Sequence, residues 1–204
     1  VLGVAVGGEL SYKTRQPVPL DSAFTDALAL AETTGQEVRV SGYSREKVLM
    51  AQLSGVAALG PGDRVIGPVI EILGVDTLNV VGEIAMLRYP DLDDGLSYAA
   101  AGFTNAVDET SFGYALRVQG DYTNPWNIPI TVTPRISFQH DVDGNSPRTF
   151  IEFIEHRKSL SLGVLIDYLG VWGFDLSYTN FFGAGTKNAS LDRDFVSVSM
   201  SYAF

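Results

Sequence analysis

Cysteine is absent from the 204 residues, which excludes thiol nucleophiles, cysteine-ligated zinc and disulfide staples. Long apolar runs are missing as well. No stretch reaches the ~18 consecutive apolar residues at which a membrane-spanning helix becomes a candidate. Charge is sparse: Asp, Glu, Lys and Arg make up 19% of the chain, against ~25% in ordinary soluble domains. Basic charge is scarcer still, 14 Lys and Arg against 24 Asp and Glu, a net charge of −10 that could not neutralise nucleic-acid phosphates. No nucleic-acid partner is expected. There are two histidines and no Gly-x-Ser-x-Gly elbow, which leaves little from which to build nucleophilic hydrolysis. The chain is not expected to be an enzyme, although Ser159 and Ser161 lie beside His156. No secretory signal is visible. The chain opens at Val1 inside a strand-like run, and is expected to be processed or part of something longer.

What is present alternates. In the terminal residues Phe204, Tyr202, Met200, Val198 and Val196 are apolar, and Ala203, Ser201, Ser199 and Ser197 between them are small. A period of two puts the sets on opposite faces of a strand. Either a half-buried strand of a soluble sandwich or the closing strand of a membrane barrel alternates in this way. About eight such segments follow one another, near residues 4–13, 47–59, 77–88, 111–122, 128–139, 158–168, 172–179 and the terminus. Their length suits a tilted membrane strand of ~9–11 residues better than the globular mode of ~5–6.

The connections alternate in length too. Those at 14–44, 89–110, 141–157 and 183–193 are long, those at 123–127 and 170–171 short, and 60–76 intermediate. Membrane barrels have short periplasmic turns and longer outside loops. Aromatics gather near segment ends (Tyr12, Tyr122, Trp126, Tyr168, Trp172), where interfacial girdles belong. The fold expected is therefore all-β: one domain, 1–204, a transmembrane antiparallel up-and-down β-barrel of about eight strands, or part of a larger one, in a bacterial outer membrane with both chain ends periplasmic. Outer-membrane lipid, lipopolysaccharide and the barrel-assembly machinery are then its expected partners, with Tyr202 and Phe204 as the assembly signal. Two stretches break the pattern. Residues 21–32 place Ala and Leu at helical spacing after Asp21, a cap candidate. Residues 65–73 are apolar between Gly-Pro pairs and fit either an extra short strand or a turn packed on the rim.

The polar sides carry the candidate functional residues: Glu9, Lys13, Glu83, Arg117, Asp121, Arg135, Asp167 and Asp175. Charges do not face hydrocarbon cheaply, so this set should face a lumen, lining a water path or cross-pairing to plug it. Asp141, Asp143 and Asn145, with Gly144 between, echo the start of a calcium loop that Glu152 or Glu155 could complete. A polar hairpin turn explains the same residues, so a surface Ca²⁺ is the only cofactor considered. His140 and His156 flank this loop and could serve as ligands, as a base, or as loop-anchoring hydrogen-bond partners. The acidic residues Asp91, Asp93, Asp94, Asp108 and Glu109 would suit divalent-cation bridging in a structural envelope barrel, the alternative to a passage.

Several runs also resemble a known family. They include residues 8–18 (Gly-Glu-Leu-Ser-Tyr-Lys-Thr-Arg-Gln-Pro-Val), 134–147 (Pro-Arg-Ile-Ser-Phe-Gln-His-Asp-Val-Asp-Gly-Asn-Ser-Pro) and 150–158. The most specific run starts at Ser177, within 176–185 (Leu-Ser-Tyr-Thr-Asn-Phe-Phe-Gly-Ala-Gly), and continues to Phe204. Together they resemble the DUF1302 family of proteobacterial outer-membrane proteins, whose members are longer; the chain is similar to their carboxy-terminal portion. The resemblance implies an outer-membrane barrel with a periplasmic or lipoprotein partner and a role in handling lipids or other hydrophobic compounds. It implies no activity and no oligomeric state.

Overall fold

In the computed structural model the described residues are 3–31, 40–102 and 106–204. Eight antiparallel strands follow in chain order: β1 (Gly3–Pro19), β2 (Tyr43–Leu59), β3 (Thr77–Arg88), β4 (Thr110–Thr123), β5 (Ile130–Asp143), β6 (Arg157–Tyr168), β7 (Trp172–Gly183) and β8 (Phe195–Tyr202). They form one up-and-down sheet in which each strand pairs only with its sequence neighbours. The expected closed barrel does not form within these residues, because β1 and β8 do not pair and the sheet keeps two open edges. Closure by this pair alone would be poorly matched, since β1 has 17 residues to offer and β8 only 8. No helix among the described residues is long and apolar enough to cross a membrane.

Register carries the two-faced pattern across all eight strands. Directly opposed residues lie on one face. One row runs Val6, Gly55, Gly82, Leu116, Phe138, Leu160, Asn180; another runs Val132, Ile166, Phe174, Met200. The oily set of every strand thus pairs with the oily set of the next, giving one continuous apolar face. This face is largely uncovered: Val6 is 71% exposed, Leu10 73% and Val198 77%. Along Trp172–Tyr178 the apolar residues are exposed and the small and polar ones between them half-buried, the reverse of a soluble sandwich strand.

Two helices interrupt the strands. α1 (Ser22–Ala31) is the helix expected at 21–32, and Glu32 lies outside the described residues. Asp21 caps it, its Oδ1 accepting from Ala23 N at 2.9 Å and Phe24 N at 3.2 Å. α2 (Gly67–Leu73) replaces the short-strand alternative at 65–73. A helix wins here because Asp63 Oδ1 takes the N–H groups of Val65 and Ile66, both at 2.9 Å, and starts the turn. Gly74, at φ 68°, ends it in the left-handed conformation. The alternative of a turn packed on the rim agrees with this geometry: Ile70 is fully buried against Leu59 and Val75.

Candidate pore-lining face and its loop cap

All eight charged residues predicted to share a face do share it. Glu9 opposes Gln52; Glu83 opposes Ser54 and Ala115; Arg117 opposes Val81 and Ser137; Arg135 opposes Gln119 and Gly163. Lys13, Asp121, Asp167 and Asp175 fall in the same rows, opposite Val48, Thr77, Thr131 and Leu165. The face is organised by one bidentate pair. Arg135 donates from both terminal nitrogens to the two carboxylate oxygens of Asp175, each at 2.6 Å. To reach from β5 to β7 the guanidinium crosses β6 over Gly163, where a Cβ would come within 2.9 Å of it. Asp121 accepts from Thr133 Oγ1 at 2.7 Å and Asn79 Nδ2 at 3.1 Å. Asp167 holds the β6–β7 turn through Gly170 N at 2.8 Å. Glu9, Glu83 and Arg117 are exposed.

Long connections fold over one end of this face, a feature that periodicity did not reveal. Tyr89, Tyr98 and Phe153, from the connections after β3 and β5, pack with Val18, Val48 and Leu87. Val48 and Leu87 belong to the charged face by register, opposite Lys13 and Met50. Phe153 lies against Gly113, also on that face. Isolated bridges join Leu20 to Tyr98 and Ala100 to Pro147, sewing the connections to one another. Lys13 on β1 sits 4.2 Å from the ring centre of Phe150, from the β5–β6 connection. The cap thus reaches from β5 and β6 to β1, across the mouth of the charged face.

The proposed cation loop acts here as part of this fastening. Asp141, its side chain 2% exposed, accepts from Ile154 N at 3.0 Å and Arg157 Nε at 2.7 Å, and Arg157 also donates to the Glu152 carbonyl. Asn145 accepts from Glu155 N and donates to Asp108. Asp143 is exposed. His140 lies on the apolar face between Tyr114 and Phe138, opposite in side to Ser159 and Ser161, and its buried Nε2 has no partner among the described residues. His156 approaches Glu155 at 3.7 Å. Of the acidic set, Asp91 pairs with Lys47 at 2.7 Å and Asp93 Oδ1 turns the chain at Gly95.

Tyr98 donates to Glu46 Oε1 at 2.8 Å inside the cap. Burial, and then the Glu46 carboxylate, push its hydroxyl from 10.0 up to about 12, though the hydrogen bond with Asp93 N opposes this. The folded pKa is the higher one, so the fold favours the neutral phenol. Its contribution is complete below pH 10 and is lost as pH rises through about 12. Burial pushes the Tyr89 hydroxyl of the same cap upward as well, so ultraviolet titration is expected to find late-ionising tyrosine, with one such group fewer in Tyr98→Phe. Titration of every tyrosine near its ordinary value would remove Tyr98 from a dry cap.

On the opposite face, aromatic side chains form two belts. At the short-turn end stand Tyr122, Tyr168, Trp172 and Tyr202, with Trp172 and Tyr202 at 4.6 Å between ring centres and Phe204 next to Tyr202. At the long-connection end stand Tyr12, Phe112, Tyr114, Phe138 and Phe182. Between them the face is mostly aliphatic. Tyr168 lies ten residue steps from Lys158 on β6; at ~3.4 Å per step and a tilt of ~40° the band would be ~26 Å tall.

Neither a curated protein nor a solved structure matches the chain. A family model described as "Protein of unknown function (DUF1302)" matches residues 1–204, and the chain belongs to the DUF1302 family.

Proposed function

We propose that these strands form the wall of an outer-membrane β-barrel whose charged face lines a channel-like passage for small or hydrophobic compounds, narrowed at its outer mouth by the loop cap. One observation carries this reading. The continuous oily face is largely bare and bracketed by aromatic belts, whereas the larger of the two packed clusters among the described residues sits on the charged face. In water such a face would be a large aggregation-prone patch; in a bilayer it is the lipid contact. The ~26 Å band agrees with the ~25 Å apolar belt of outer-membrane barrels. Open strand edges cannot remain in hydrocarbon, so in this reading β1 and β8 pair with further strands. Outer-membrane lipid, lipopolysaccharide and the assembly machinery are the proposed partners, Tyr202 and Phe204 the proposed assembly signal, and no catalytic role is proposed.

A structural barrel with a closed interior is the second reading. It is favoured by the Arg135–Asp175 pair and the cap, both of which fill space over the charged face. Purified protein in planar bilayers is expected to pass steady single-channel current, with Glu83→Gln shifting its reversal potential. Silent bilayers containing folded protein would reject the passage in favour of the closed barrel.

A further inference from the structure

α2 does not pack on the charged face with the connections after β3 and β5. Its buried residues meet the oily face at the short-turn end: Ile70 and Val75 contact Leu59, Ala57, Leu78 and Tyr122, all in the apolar rows. Val75 seats on Gly120, where a Cβ would come within 2.8 Å of it, and Tyr122 Oη donates to the Leu73 carbonyl at 3.1 Å. The segment is therefore built firmly onto the outer surface of the wall. Its other side is oily as well. Ile72 is 85% exposed, with Val65, Val69 and Leu73 exposed beside it, and Glu71 is the only charge within the helix. Trp126 and Ile128 in the neighbouring β4–β5 turn are also exposed.

Where the carboxy-terminal end of α2 meets the sheet lies an open groove of about 250 Å³, lined mostly by apolar residues, among them Leu73, Val75, Val118 and Pro134, with Gln119 and Arg135 also at its wall. Gly120 and Pro134 leave that part of the face shallow. A helix apolar on both sides is normally buried on both. Here one side is covered by the wall and the other is continuous with the surface that contacts lipid.

We infer that α2 is a lateral foot lying in the headgroup–acyl boundary of the periplasmic leaflet, and that the groove at its carboxy-terminal end holds an acyl chain of a phospholipid. This rests on the membrane reading above and adds to it a site for one class of ligand. Interfacial helices bury their apolar side ~5–10 Å into this boundary, the depth at which Trp126 and the lower aromatic belt would sit. A periplasmic protein or a second copy of the chain is the competing occupant.

These 204 residues contain no cysteine, so a single cysteine placed among them meets no competing thiol in this stretch. An environment-sensitive fluorophore would be placed at Ile72→Cys, at Leu162→Cys in the aliphatic band, and at Ser161→Cys on the charged face. The protein would be folded into phosphatidylcholine vesicles carrying bromine either near the headgroup or deep in the acyl chain. Position 72 is expected to lose most of its fluorescence to the shallow bromines and position 162 to the deep ones, while position 161 responds to neither. Quenching at 162 without quenching at 72 would overturn the foot and leave the membrane wall standing. No quenching at either would overturn both. Shielding of 72 from water-borne quencher without lipid quenching would also overturn it, in favour of a protein occupant. A second variant, Val69→Ser with the label at 72, should lessen shallow quenching if apolar contact holds the helix down; unchanged quenching would overturn that contact.

Discussion

Leu162→Arg is expected to lose most of its ability to fold into phospholipid vesicles, while Ser161→Arg, one position earlier, folds nearly as well as the unaltered chain. The two residues are neighbours on β6 but face opposite sides: Leu162 opposes Ile136 and Tyr178 in the oily rows, Ser161 opposes Ser137 and Thr179 in the polar ones. Leu162 lies near the middle of the aliphatic band. A cation placed there on a lipid-facing strand costs ~2–4 kcal/mol, and less toward either rim. The same substitution on a water-facing surface stays within ~0.5 kcal/mol. Leu162 is 49% exposed, so its solvent decides between these figures, not its packing. The measurement is the folded fraction, read by heat-modifiable mobility after dilution into vesicles. Equal folding of both variants would mean that the oily face does not meet hydrocarbon, and would reject the membrane wall together with every reading that rests on it.

Much of the sheet was legible because alternation is a local signal wherever the two sides of a strand meet different solvents. The alternation predicts β3 at its observed limits, Thr77–Arg88, since Leu78, Val80, Ile84 and Met86 keep one phase. β1 and β2 run further than the pattern predicts, to Pro19 and from Tyr43, because at the capped end the charged face also becomes oily. Val18, Val48, Met50 and Leu87 meet the cap cluster there, so both faces are apolar and the period of two fades. The shared face of Glu9 through Asp175 was legible for the same local reason. The way the face is held together was not. Arg135 reaches Asp175 across a strand, and nothing near Arg135 in sequence announces that Gly163 has cleared the path. The cap depends on contacts between connections and strands far apart in the chain, such as Lys13 with Phe150 and Tyr98 with Glu46, which periodicity does not encode. Aromatics inside long polar connections were the available clue. Tyr89, Tyr98, Phe150 and Phe153 are expensive to leave in loops unless something covers them.

Asp141→Ala is expected to release the returning leg of the β5–β6 connection and to open the mouth of the charged face. The carboxylate is almost fully buried and holds two groups at once through Oδ2, Ile154 N and Arg157 Nε; the Asp141 main-chain carbonyl, which the substitution keeps, accepts from His156 N. The substitution removes the side-chain pair and leaves Arg157, itself 24% exposed, beside a vacated buried acceptor. Breaking such a pair from one side costs ~3–5 kcal/mol, because the remaining charge keeps its desolvation penalty. Asp141→Asn keeps an acceptor but loses the charge, and should lose roughly 1.5–3 kcal/mol. The outgoing leg stays fastened to the β3–β4 connection in both variants by Asn145 N with Asp108 and by Ala101 N with the Ser146 carbonyl, so the release is local and the sheet should still fold. Limited proteolysis should then cut Asp141→Ala between residues 148 and 156 well before the unaltered protein, and single-channel current, where the passage is open, should rise. Calcium is expected to leave the unaltered protein's cleavage unchanged, since Arg157 occupies the side of Asp141 that a cation would need. Calcium-dependent protection that disappears in Asp141→Ala would instead return Asp141 to the role of a metal ligand and make Arg157 a group that the ion displaces.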